Sequence, residues 1–232
     1  VCIKERVEIM TDPSRDYLRA ARYDWILPLY DPVMRLLGAD EARDALLDQG
    51  SIRPGDRVLD IGCGTGTFAT LIKRLHPDVE VVGLDPDPKA LARARRKAER
   101  ESVEVRFDQG FADALPYPEA SFDRVFSSFM FHHLSREEKE GTLREVRRVL
   151  KPDGTLHLLD FGGPESSADG FLSRLLYSRH GLKDNSEERV LSLMKQAGYA
   201  DPEKVKQGSR FFGLLDIYYF RAWSSPSLDK ST

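Results

Sequence analysis

Three glycines, Gly62, Gly64 and Gly66, alternate with Cys63 and Thr65 directly after Asp60, and a second aspartate, Asp85, follows nineteen residues beyond Gly66. Glycines in a tight turn let backbone amides come close to a ligand. The spacing is not the G-x-G-x-x-G of a dinucleotide site, and no lysine follows the third glycine as a P-loop requires. An acid at Asp60 would repel a pyrophosphate and attract a cation, directly or through water. Asp85 suits a different task, accepting hydrogen bonds from a pair of ribose hydroxyls. Further along, Asp113 follows Gly110-Phe111-Ala112, and Ser127-Ser128 precedes the adjacent histidines His132 and His133. A histidine is the side chain best suited to take a proton near neutral pH.

The elements around these residues are those of an α/β domain. Val58–Ile61 is a short apolar run that fits a buried parallel strand. Phe68, Leu71, Ile72 and Leu75 then recur at the spacing of one helix face, so the glycines form a strand-to-helix turn whose amides face a ligand at the positive end of the helix. Val79–Leu84 reads as a second strand ending on Asp85, with Pro86 just beyond. Residues 88–100 read as a helix with Leu91, Ala94 and Ala98 inward and the basic run Arg93–Arg100 as its solvated face. Val103, Val105 and Phe107 alternate as a third strand, and Asp113 beyond its end is either a turn or cap residue or an acceptor for the amino group of a nucleoside base, with Phe111 or Ala114 beside the ring. Phe122–Ser127 is a fourth strand. Ser128 and the two histidines leave its carboxyl end, where ligands bind in open α/β sheets. The histidines either contact an acceptor or pack at the start of a helix, and as adjacent residues they do not chelate one metal together. Ser135 and Glu138 form a capping box for a helix through Leu150, and Thr155–Asp160 is a fifth strand. Glu187–Ala197 is a further helix, and Lys204–Gln207 and Phe212–Trp223 supply two last strands.

A nucleoside cofactor with a positively charged, phosphate-free tail fits the glycine turn, and S-adenosylmethionine has that make-up. The segments Val58-Leu-Asp-Ile-Gly-Cys-Gly-Thr-Gly, Val82-Gly-Leu-Asp85, Asp113-Ala-Leu-Pro, Ser121-Phe-Asp-Arg-Val and Leu150-Lys-Pro-Asp-Gly154-Thr resemble, in order, those of class I S-adenosylmethionine-dependent methyltransferases. Within that superfamily the chain is most similar to the ubiquinone/menaquinone-biosynthesis C-methyltransferases. The resemblance implies a Rossmann-like doubly wound sheet of seven strands, mostly parallel with an antiparallel last strand. It assigns cofactor contacts to Asp60, Gly62, Cys63, Gly64, Thr65, Gly66, Asp85, Pro86, Asp113, Ala114, Ser127 and Ser128, and chemistry to His132 or His133. Related enzymes also lay an N-terminal helical segment over the cofactor, which makes residues 1–50 a lid and Tyr23, or less directly Tyr30, a cofactor contact. After the fourth strand the group carries serine-phenylalanine-glycine and an arginine-asparagine pair, whereas this chain has Ser128-Phe129-Met130-Phe131-His132-His133. The acceptor is therefore open.

Composition narrows the remaining classes. The 232 residues suit one domain at 51–223, with the helical segment before it, an insertion at about 161–185 that encloses substrate through Tyr177, Arg179 or His180, and a polar tail at 224–232. A net charge of −3 argues against a nucleic-acid surface. Two cysteines do not make a disulfide framework, which with the lack of a long apolar run suggests a cytoplasmic protein acting on a small molecule, without a metal. Two alternatives stay open at this stage: a non-enzymatic S-adenosylmethionine-binding protein on the same fold, separated by turnover with any acceptor, and a nicotinamide-dependent oxidoreductase, disfavoured by the glycine spacing and separated by cofactor titration.

Overall fold

A computed structural model describes residues 38–162, 185–210 and 215–225. In these, five helices and seven strands follow one another: α1 (Ala39–Gln49), β1 (Arg57–Ile61), α2 (Thr67–Leu75), β2 (Glu80–Asp85), α3 (Pro88–Arg100), β3 (Arg106–Gln109), β4 (Phe122–Ser128), a single 3₁₀ turn (Phe131–His133), α4 (Arg136–Val149), β5 (Leu150–Phe161), α5 (Glu187–Gln196), β6 (Ala200–Arg210) and β7 (Leu215–Trp223). The strands form one sheet in the order β3-β2-β1-β4-β5-β7-β6. Only β7 runs against the rest, pairing antiparallel with both β5 and β6. Chain order reverses between β1 and β4, so the switch point lies where the glycine turn and the end of β4 stand side by side.

Alternation along the central strands separates two apolar layers. Leu59, Val82, Val125 and Leu158 face α4 and α5 and meet Leu143, Val146, Val190 and Met194. Their neighbours Val58, Val81, Phe126 and Leu159 face the other way, onto Leu46 of α1, Phe68 and Ile72 of α2, and Leu91 and Ala94 of α3. A strand covered on both faces is apolar on both, which is why Val58, Leu59 and Ile61 show no polar alternation and Asp60 stands out as a buried exception. Each such side chain contributes about 1.5–3 kcal/mol through burial. The capping box is complete: the Ser135 hydroxyl accepts from the Glu138 N–H, and the Glu138 carboxylate accepts from the Ser135 N–H.

Several element boundaries differ from those read in the sequence. Val103 and Val105 precede β3, whose pairing with β2 begins only at Val82 with Arg106. Leu75, at the last position of α2, is 55% exposed. The segment after α4 joins β5 at once, because Leu150 pairs with Phe122 before the register shifts at Arg124. The lid candidates Tyr23 and Tyr30, and Tyr177, Arg179 and His180 of the insertion, lie outside the described residues. No helix among the described residues is long and apolar enough to cross a membrane, and no described group of three or more His, Cys, Asp or Glu side chains could hold a metal ion.

Candidate active site

All three glycines of the turn have positive φ, at 67°, 53° and 74°, but for different reasons. A Cβ on Gly62 would run into the Met130 side chain, and one on Gly66 would lie 2.6 Å from the Ala94 Cβ and 3.0 Å from the Phe107 ring. At Gly64 a Cβ would meet nothing within 4 Å among the described residues. Two of the three are thus glycine for internal packing, and Gly64 faces space that no described residue fills. The turn is tied to β2: the Gly62 and Cys63 N–H groups both donate to the Leu84 carbonyl, at 2.8 and 3.0 Å, and the Gly64 N–H donates to Asp85 Oδ2 at 2.8 Å. The Cys63 thiol packs against Gly83, and its burial pushes its pKa well above the usual thiol range. Cys63 therefore offers the site its backbone. Thr65 is also buried, and its hydroxyl lies 3.4 Å from Lys97 Nζ.

The two aspartates differ sharply in how they are satisfied. Asp60 is 1% exposed, and neither carboxylate oxygen has a hydrogen-bond partner among the described residues. Burial pushes its pKa up to about 7, opposed by the Arg43 charge and reinforced by Asp85; the Ala69 N–H lowers it slightly without reaching hydrogen-bond geometry. Asp85 accepts from Gly64 N–H through Oδ2 and from Asp87 N–H through Oδ1, which leaves a lone pair on each oxygen. Burial raises it to about 6 against those two donors. Pro86 presents its carbonyl to Gln109 Nε2 at 3.1 Å. Arg43 of α1, which nothing in the sequence marks, is buried with Nε unpaired among the described residues, its guanidinium 5.9 Å from the Phe129 ring.

At the end of β4, Ser127 is buried with its hydroxyl unpaired among the described residues, and Ser128 is half-buried opposite Leu159. Phe129 is left-handed at φ 55° although it is not glycine, held there by its N–H bond to the Leu159 carbonyl and by its ring against Phe161. Such backbone strain costs roughly 1–3 kcal/mol and collects at functional sites. The chain then turns back over β5. The His132 N–H donates to Asp160 Oδ2 at 2.7 Å, and His132 Nδ1 lies 2.5 Å from Asp160 Oδ1. Burial would raise Asp160, but His132 and the Phe161 and His132 N–H groups outweigh it and hold the carboxyl below its ordinary range. The His133 ring centre lies 4.0 Å from that of His132. On the other side of the turn, half-buried Asp113 packs against Gly141 of α4, and Ala114 beside it is exposed. The structure thus gathers Asp60, Gly62–Gly66 and Asp85 at the ends of β1 and β2, sets the Ser128–His133 segment beside them, and adds Arg43 and Asp160.

A cavity of about 450 Å³ lies instead at the amino ends of β4 and β5, lined by Gln49, Asp123, Arg124, His157 and Arg221 among others. Several of its charges are already engaged: Arg124 donates to the Gly50 carbonyl, Asp123 accepts from Lys151, and Arg221 binds Glu203. His157 has both ring nitrogens in hydrogen bonds, and burial pushes its pKa down to about 3. Nothing there calls for a ligand.

A mostly parallel seven-stranded sheet with one reversed strand, and a glycine turn facing carboxylates at its switch point, define a methyltransferase-type α/β domain. Residues 58–154 match the methyltransferase domain family. The chain is 42% identical over 157 residues, 66% of its length and 70% of the relative's, to a demethylmenaquinone methyltransferase of Thermus thermophilus. It is 34% identical over 195 residues, 75% of its length and 68% of the relative's, to the 27-O-demethylrifamycin SV methyltransferase of Amycolatopsis mediterranei. Among solved structures, the YcgJ protein of Bacillus subtilis superposes with a TM-score of 0.67 at 23% identity, over 79% of this chain and 98% of that one. The chain belongs to the class I S-adenosylmethionine-dependent methyltransferases, in the group of the ubiquinone/menaquinone-biosynthesis C-methyltransferases.

Proposed function

We propose that the glycine turn and the ends of β1, β2 and β4 hold S-adenosylmethionine, and that the Ser128–His133 segment receives a small hydroxylated acceptor of the quinol or phenol type. The observation that supports this most is the buried, unpaired Asp60 carboxylate next to the open face of Gly64. A buried anion without a partner is costly, and a cationic ligand removes that cost. Arg43, with its own unpaired Nε, suits the carboxylate of the same amino-acid tail. The free lone pairs of Asp85 suit ribose hydroxyls, and Asp113 with Ala114 the adenine. Gly62, Cys63, Thr65, Gly66, Pro86, Ser127 and Ser128 complete the proposed cofactor site, mostly through backbone and shape. His132 or His133 stands by the acceptor. S-adenosylmethionine supplies a methyl group on a positively charged sulfur, so the protein's part is to align the acceptor and manage its proton. Alignment alone lowers such a barrier by about 7–11 kcal/mol. A cytoplasmic location belongs to the same reading, supported by the free Cys63.

Titration by calorimetry tests the cofactor half. Because a cation beside Asp60 favours its ionised form, affinity for S-adenosylmethionine should rise about tenfold from pH 6 to pH 8, as expected for a group near 7 that must lose its proton. A flat affinity across that range removes Asp60 from the site. The unliganded protein should respond in the opposite sense. Asp60 and Asp85 are raised above their unfolded values, so the stability they contribute is full below about pH 4 and is lost as pH rises through about 6 and then 7. Melting temperatures with and without the cofactor should therefore diverge as pH increases.

Asp85→Ala removes three contacts at once, the ribose acceptor and the anchors of the Gly64 and Asp87 N–H groups. Loss of a charge-assisted hydrogen bond costs about 1.5–3 kcal/mol, so affinity should fall at least tenfold. Unchanged affinity in a folded variant would show that Asp85 serves the turn alone.

A further inference from the structure

We infer that His132 and Asp160 work as a pair in which His132 Nε2 takes the hydroxyl proton of the acceptor and Asp160, a positioning residue, holds the imidazole for it. This rests on the methyltransferase reading above and names the acceptor class: a molecule whose O–H lies on, or conjugated with, the atom that is methylated. Asp160 accepts from two backbone N–H groups, one on each oxygen, as an ionised carboxylate does. Oδ1 takes the Phe161 N–H at 2.7 Å and faces His132 Nδ1, and Oδ2 takes the His132 N–H at 2.7 Å. An acceptor-only carboxylate requires a proton on Nδ1, and in the neutral ring that leaves the lone pair on Nε2. No described residue hydrogen-bonds Nε2. Packing alone would not need this arrangement, because the contacts with Phe161 and His133 use the ring face and edge and not its polarity.

The geometry is set by pairing across the sheet. Ser128 in register with Leu159 puts Asp160 at the level of Phe129, and the left-handed Phe129 swings the following turn across β5. Among the described residues, Lys139 of α4 lies against the Phe131 ring and donates to Asn185, and Arg43 of α1 lies against the Phe129 ring. Both touch neighbouring rings and leave Asp160 as the ionised partner of the imidazole.

An aromatic amine carries a free lone pair near neutral pH and an aromatic thiol ionises readily, whereas a phenolic hydroxyl keeps its proton and needs a base. In the proposed step the acceptor's O–H bond breaks and its proton forms an N–H bond on Nε2. The freed electron pair attacks the methyl carbon from oxygen, or from a ring carbon conjugated to it. A new O–C or C–C bond forms as the carbon–sulfur bond breaks, and that pair stays on sulfur. The imidazolium later gives its proton to water; for a ring carbon, loss of the carbon's own hydrogen restores the hydroxyl, so one proton is released either way.

Nitrogen-detected NMR of the full chain with S-adenosylmethionine reads the tautomer directly, and His133→Ala assigns the two rings. We expect Nδ1–H in the wild type and its loss in Asp160→Asn. Turnover is followed with methyl-labelled S-adenosylmethionine on naphthohydroquinone, its dimethyl ether, naphthylamine and naphthalenethiol. Label should enter the hydroquinone and not the ether. His132→Gln, whose amide still donates to Asp160, should lower that rate about 10²–10⁴-fold. Asp160→Asn should lower kcat and move the acidic limb of its pH profile, with KM and cofactor affinity within a few-fold. A proton on Nε2 in the wild type, label on the amine or thiol and not the hydroquinone, or full turnover with an unmoved limb in both variants overturns the inference. Cofactor binding without any transfer to the hydroquinone also counts against it, whereas failure to bind S-adenosylmethionine sinks the methyltransferase reading instead.

Discussion

Gly64→Val is expected to yield a folded protein that no longer binds S-adenosylmethionine. The substitution adds a branched side chain at φ 53°, and a left-handed conformation costs an L-residue about 1–2 kcal/mol. In a chain of this size that lowers the melting temperature by only about 2–8 °C, because no atom of the described residues, its chain neighbours aside, lies within 4 Å of the new Cβ. The space it fills is the space the cofactor needs. Gly66→Val is the contrasting control: its Cβ would press on Ala94 and Phe107, so it should lose stability first and binding as a consequence. Calorimetry and thermal melting on the two variants separate the cases. Normal affinity in Gly64→Val would mean that the turn is no cofactor cradle.

The second large effect concerns turnover. His132→Ala should reduce the single-turnover rate about 10²–10⁴-fold, the usual contribution of a positioned base, while cofactor affinity stays within a few-fold. Some stability is lost too, since Asp160 keeps its two backbone donors but loses the imidazole, at a cost of about 1–3 kcal/mol. His133→Ala should affect the rate much less, because His133 is not the ring paired with Asp160. Melting temperature, affinity and rate measured together distinguish chemistry from misfolding. Equal, wild-type rates in both variants would end the case for a catalytic histidine.

Much of this was legible in the chain because the decisive signals are local. An apolar run, three glycines and an amphipathic helix lie within a few residues of each other, and the Ser135–Glu138 box closes over a single turn. What escaped depends on contacts between distant segments. Alternation suggested a strand from Val103, but a strand needs a partner, and β2 offers one only from Arg106. Leu75 has the spacing of a core residue yet sits past the point where α2 is covered. Asp160 closes the fifth strand read in the sequence with nothing there to mark it; its role comes from a histidine 28 positions earlier. Arg43 stands among the charges of a short helix, and only tertiary packing buries it. The roles of the three glycines were likewise beyond sequence, since Gly62 and Gly66 are fixed by Met130 and Ala94 and only Gly64 by open space.

Incubating the chain with methyl-labelled S-adenosylmethionine and a small-molecule extract of cells, then identifying the labelled product, tests the central claim most directly. The account predicts label in a hydroxyl-bearing small molecule, absent with Gly64→Val and strongly reduced with His132→Ala. Cofactor bound at full affinity with no label passing to any small molecule would contradict it.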